Sequence, residues 1–68
     1  MITIEIGSRI REHRKKLEIS QEKLAELAGI DRTYLAGVEN GKRNISVKNL
    51  EKIIRALDCD FEDFFAGM

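Results

Sequence analysis

Sixty-eight residues allow one domain, and a single core of that size buries a modest share of its own chain, so a partner subunit would help. Hydrophobic residues at 43% and charged residues at 35% describe a folded soluble protein and exclude a disordered one. Twelve basic and twelve acidic side chains cancel, which argues against gripping nucleic acid by bulk charge alone.

No apolar run approaches the roughly 20 residues of a bilayer span, and the N-terminus lacks the layout of a secretory signal. No membrane partner and a cytoplasmic location are therefore expected. Cys59 and His13 are each the only residue of their kind, which rules out an internal disulfide and a cysteine-rich metal cluster. Cys59 is expected to be a small buried hydrophobe and His13 to be solvated. Without a paired Cys/His, a phosphate-cradling glycine loop or an isolated acid pair, the chain is not expected to be an enzyme or to carry a cofactor.

With no proline and with apolar positions recurring every three and four residues, the pattern predicts an all-α, compact five-helix domain. The first helix spans about Ile4 to Leu17, with Ile6, Ile10 and Leu17 on one stripe and Arg9, Arg11, Arg14, Lys15 and Lys16 crowding the rest. The later helices start on one repeated device, a capping side chain preceded by an apolar residue. Ser20, Asp31, Ser46 and, less distinctly, Asp60 are the caps. Ile19, Ile30, Ile45 and Cys59 precede them and can staple to Leu24, Leu35, Leu50 and Phe64.

The second helix is predicted from Gln21 to Ala28, burying Leu24, Leu27 and Ala28 and stopping at Gly29, where positive φ costs nothing. The third runs from Arg32 to about Asn40, burying Leu35 and Val38, with Gly41 as terminator. Only Gly29, Ile30 and Asp31 lie between them, a sharp corner that small Ala25 permits. Val47, Leu50, Ile53, Ile54 and Leu57 mark the fourth helix, and Phe61, Phe64 and Phe65 the fifth.

This spacing is that of a helix-turn-helix, whose second helix can enter the major groove of DNA. With positions 35 and 38 buried, Arg32, Thr33, Ala36 and Gly37 project outward, with Tyr34 toward the edge. Arg32 offers a planar fork for guanine O6 and N7, and Thr33 can bond a base or pack on a thymine methyl. Ser20 and Gln21 at one helix start, and Ser46 and Lys48 at another, can meet phosphates. Tyr34, Gly37, Lys42, Arg43 and Asn44 complete the groove-edge candidates. Asp58, Asp60, Glu62 and Asp63 gather near the end, so a basic front and an acidic back would orient the molecule on a polyanion.

From Ile6 to Leu57 the chain resembles the phage repressor and Cro-type helix-turn-helix family, of lambda-repressor-like fold, through Ser20-Gln21-Glu22-Lys23-Leu24-Ala25 and Val38-Glu39-Asn40-Gly41. Asp31-Arg32-Thr33-Tyr34-Leu35-Ala36-Gly37-Val38-Glu39, followed by Arg43-Asn44-Ile45-Ser46, is similar to the controller proteins of restriction-modification systems. The resemblance implies a homodimer that binds paired half-sites of a double-stranded DNA operator near its own promoter and times expression of the endonuclease. It gives Arg32 the base-reading role with Thr33 assisting, and Tyr34, Arg43, Asn44 and Gln21 backbone or groove-edge contacts. It also implies a structural ion pair between Arg14 and Glu39. Glu18 stands where many relatives carry glycine, so a differently built turn is expected there.

Leu57, Phe61, Phe64 and Phe65 form one stripe. Phe61 is assigned to the core, and Leu57, Phe64 and Phe65 to the dimer interface, Phe65 foremost. Activation would further require a surface for RNA polymerase, for which the acidic C-terminal residues are the candidate. Two other functions fit the same sequence: a stand-alone repressor or antitoxin of a phage or toxin circuit, and a helical protein-interaction module.

Overall fold

Four of the five helices start on a side chain that accepts a hydrogen bond from the backbone N–H three residues on. The computed structural model describes all 68 residues: α1 (Ile2–Lys16), α2 (Gln21–Ala28), α3 (Arg32–Glu39), α4 (Val47–Ala56) and α5 (Phe61–Phe65). Ser20 accepts from Lys23 N–H, Asp31 from Tyr34, Ser46 from Asn49 and Asp60 from Asp63. Each cap satisfies a donor that the helix geometry leaves orphaned. The preceding residues Ile19, Ile30, Ile45 and Cys59 all pack against the core, as the staple pattern predicts. No helix is long and apolar enough to cross a membrane.

Helix ends repeat a second device. After α1, α2 and α4 the chain steps through one left-handed residue, one apolar residue and the next cap: Glu18-Ile19-Ser20, Gly29-Ile30-Asp31 and Asp58-Cys59-Asp60. In each the residue after the left-handed one donates its N–H back across the last turn, Ile19 to Arg14, Ile30 to Ala25 and Cys59 to Ile54. This closes off carbonyls that α-helical bonding cannot reach. The turn at Glu18 is thus built in the same way as its glycine counterpart. Glu18 holds φ 57° and Asp58 φ 58°, against 70° at Gly29, so the departure from glycine changes backbone strain and not geometry.

The core joins Ile10, Leu24, Ala25, Ala28, Leu35, Val38, Leu50, Ile53, Ile54, Leu57 and Phe64. α1 lies across α3, α2 packs on both α3 and α4, and α5 returns to α1. The crossing of α1 on α3 is set by Gly7, where an added Cβ would stand 2.1 Å from the Val38 carbonyl oxygen. Sequence patterning alone did not single out that glycine.

Several expected burials fail. Leu27 is 52% exposed and Ala25 is buried in its stead, because α2 meets its neighbours through Leu24 and the small Ala25 and Ala28, leaving Leu27 on the rim. Leu17, beyond the last turn of α1, and Val47, in the first turn of α4, are exposed, and Ile6 is half-buried. His13 is not simply solvated: its ring stacks on Phe64 at 5.4 Å between centroids. Cys59 is half-buried, and burial, followed by the carboxylates of Asp63, Asp60 and Asp58, pushes its thiol above the usual value.

The aromatic stripe is also rearranged. Phe64 is fully buried, held by His13 on one side and edge-on by Phe65 on another, and Leu57 is buried too, so neither can form an interface. Phe61, expected in the core, is 43% exposed. On so short a helix as α5, one residue on the stripe fills the core and its neighbours one turn back and one position on are left at the rim. Which of them goes inward depends on where α1 lies.

Candidate nucleic-acid interface

Leu35 and Val38 anchor the inner face of α3, and Glu39 ends the helix inside the protein with its side chain 1% exposed. Three donors converge on that carboxylate. Arg14 reaches it from α1 through Nε at 2.8 Å to Oε2 and Nη2 at 3.0 Å to Oε1, and Gln21 Nε2 adds a contact at 3.1 Å to Oε1. Arg14 Nη1 also donates to the Ile19 carbonyl at 2.9 Å, so one guanidinium ties α1, the first corner and α3 together. No buried side-chain nitrogen or oxygen is left without a partner.

The fixed helix presents Arg32 and Thr33 on its exposed outer face. Arg32 makes no ion pair, and neither do Lys42, Arg43 and Lys48; the side-chain ion pairs use Arg14, Lys23 and Arg55. Free cations beside a helix whose amides are already capped leave the donors available to an incoming polyanion.

Other candidate residues are engaged within the protein. Gln21 lends its amide to Glu39. Ser20 and Ser46 spend their hydroxyls on the caps. The Tyr34 hydroxyl accepts from Asn49 Nδ2 at 3.2 Å, and the Arg43 guanidinium lies over the Tyr34 ring at 5.2 Å. Gly37 does not leave open backbone for the duplex: the Arg43 stem occupies its side-chain space. The Thr3 hydroxyl donates a hydrogen bond to Asn44 Oδ1 at 2.8 Å, which tethers the α3–α4 loop to α1.

Lys42, Arg43, Asn44, Ser46 and Lys48, in this loop and at the start of α4, are all exposed. Thr3 and Asn49 went unnoticed in the sequence, since a threonine and an asparagine in polar surroundings carry no periodic signal. Only the loop's return across α1 and α4 gives them partners.

Two capped eight-residue helices set across a three-residue corner, the second outward-facing with unpaired cations, define a helix-turn-helix protein. The family model described as helix-turn-helix matches residues 10–64. The chain belongs to that family, and the proteins it is similar to include restriction-modification controllers. It is 42% identical over 68 residues to control protein C.MunI of a Mycoplasma species, covering 98% of this chain and 92% of that protein.

Among solved structures it resembles the restriction-modification controller C.AhdI from Aeromonas hydrophila, with TM-score 0.88 and 44% identity over 93% of this chain and 96% of the other. It also resembles the controller C.Esp1396I, solved as a tetramer in complex with its natural 35 base-pair operator. There the TM-score is 0.91 and the identity 32%, over 96% of this chain and 86% of that one.

Proposed function

We propose that this chain is a sequence-specific DNA-binding transcription regulator and not an enzyme, a cytoplasmic dimer that controls restriction-modification genes from paired operator half-sites. The observation that carries the proposal is Arg32: exposed, unpaired, and projected from a short helix whose two ends are fixed by the Asp31 cap and the Arg14–Glu39 pair. A rigid helix with a free guanidinium fork is suited to bidentate contact with guanine, with Thr33 beside it. The operator complex of C.Esp1396I, a relative of nearly the same fold, supports the assignment.

Lys42, Lys48, the hydroxyl protons of Ser20 and Ser46, which the caps leave free, and the Asn44 amide N–H are assigned to phosphates on the two edges of the groove, whereas Gln21 serves the Glu39 carboxylate. The dimer contact is assigned to half-buried Phe65 together with exposed Phe61, whose rings lie 6.5 Å apart. Footprinting on the DNA upstream of the chain's own gene tests the function directly. Arg32→Ala is expected to weaken specific binding by about 1 to 3 kcal/mol and to relax preference at one base position, while binding to unrelated duplex changes little. Unchanged selectivity would remove Arg32 from its role.

A further inference from the structure

We propose that Asn49 and Gly37 are positioning residues that, through the Tyr34 ring, set the direction of the Arg43 guanidinium before DNA arrives. This inference rests on the DNA-reading function proposed above and assigns a role to two residues that need not touch base edges.

Arg43 sits in the one long connection of the fold, where a long side chain would ordinarily sample many rotamers. Here, although exposed, it is bounded by two neighbours. Beneath its stem lies Gly37: a Cβ placed there would stand 2.6 Å from Arg43 Cγ, 3.6 Å from its Cβ and 3.8 Å from its Cδ. The glycine is therefore the floor of a groove that any larger residue would fill. Beside the head group lies the Tyr34 ring, at a distance that favours a cation over an aromatic face.

Behind the ring stands Asn49 of α4, half-buried, donating to the Tyr34 hydroxyl. The loop backbone is held as well, with the N–H groups of Lys42 and Arg43 both donating to the Gly37 carbonyl at 2.9 and 3.2 Å. No carboxylate pairs with Arg43.

The arrangement has a chemical consequence at Tyr34. Its hydroxyl oxygen accepts from Asn49, so its own proton stays free to donate. A phosphate bonded to Tyr34 and a groove edge met by Arg43 would thus be engaged in one fixed relative geometry. Fixing that geometry in the free protein removes an ordering cost from the binding step.

Gly37→Ala separates this role from a structural one. Gly37 lies inside α3 with no positive φ, so alanine suits the helix backbone better than glycine does. Only the Arg43 stem must move. The variant is expected to melt no lower than wild type and yet to bind operator more weakly, whereas a residue needed merely for folding would lower both.

The probe is a duplex that the wild-type chain enriches from a random-sequence pool, and the readouts are its Kd, the melting temperature, and the NMR shifts of the Arg43 side-chain protons without DNA. Gly37→Ala and Asn49→Ala are each expected to weaken binding about threefold to tenfold. Each should also abolish most of the upfield ring-current shift of the Arg43 protons. In an Arg43→Ala background neither substitution should weaken binding further, because both act through Arg43.

Persistence of either penalty in that background, or unaltered Arg43 shifts in the two variants, overturns the proposal. A pool that wild type fails to enrich overturns the DNA-reading function itself. An enriched pool with unaffected variants overturns only the role given to Asn49 and Gly37.

Discussion

Glu39 is the only charged residue in the buried set, and its three contacts reach back to α1 and to the first residue of α2. Removing one partner of a buried ion pair leaves the other charge without compensation, which costs far more than the pair contributes. Glu39→Ala is accordingly expected to destabilise the domain by about 3 to 5 kcal/mol in urea denaturation. That is a large share of the stability of so small a protein. Replacing Arg14 and Glu39 together by apolar residues of similar volume should cost much less. A single variant as stable as wild type would show that the carboxylate is not the clamp that fixes the end of α3. The pairing itself was anticipated from family likeness and not from the residues, because an Arg and a Glu separated by 25 positions carry no local signal.

At the scale of the helix, two glycines lie in helix interiors and their substitutions have opposite expected effects on stability. Gly7 lets α1 touch the backbone of α3, and the atom a methyl would strike is a carbonyl oxygen that cannot swing aside. Gly7→Ala is expected to lower stability by about 3 kcal/mol despite the better helix propensity of alanine. Thermal unfolding followed by circular dichroism would show it, and an unchanged midpoint would mean that the crossing is looser than its geometry implies. At Gly37 the neighbour is a flexible stem, so stability does not suffer.

The four capped helix starts were legible because caps and staples act within four residues, whereas α1, which has no side-chain cap, begins at Ile2 and not at the expected Ile4. The facing of individual side chains was less legible. Leu27, Phe61 and Phe64 sit on stripes whose direction is decided by partners distant in the chain. Gly7 is silent in sequence for the same reason.

For the whole molecule, zero net charge conceals the separation of function along the surface. Unpaired Arg32, Lys42, Arg43 and Lys48 lie around α3 and the loop after it, while Asp58, Asp60, Glu62 and Asp63 lie at and beyond the end of α4. The sequence disclosed the outward face of α3, whereas the basic α1, expected at the front, packs against α5 with its acidic residues. Nor did the sequence disclose that Tyr34, Gly37 and Gln21 spend their side chains or side-chain space on internal partners.

Phe61 is the largest ring exposed near the acidic end, and it belongs to the proposed contact between subunits. Phe61→Lys is expected to give a folded monomer in sedimentation at micromolar concentration, with unaltered helical circular dichroism and sharply reduced operator affinity. A variant that still sediments as a dimer would place the interface elsewhere.

The short corners of three and four residues carry one more implication. Although the helices pack on partners further along the chain, most contacts join residues fewer than twelve positions apart, and the sequence has no proline whose slow isomerisation could delay folding. A newly made chain should therefore reach its native form in milliseconds or less, on the order expected for small helical proteins. Under the proposed function, any lag between synthesis and occupancy of an operator would then come from the time that copies need to accumulate and meet, so concentration would set the clock.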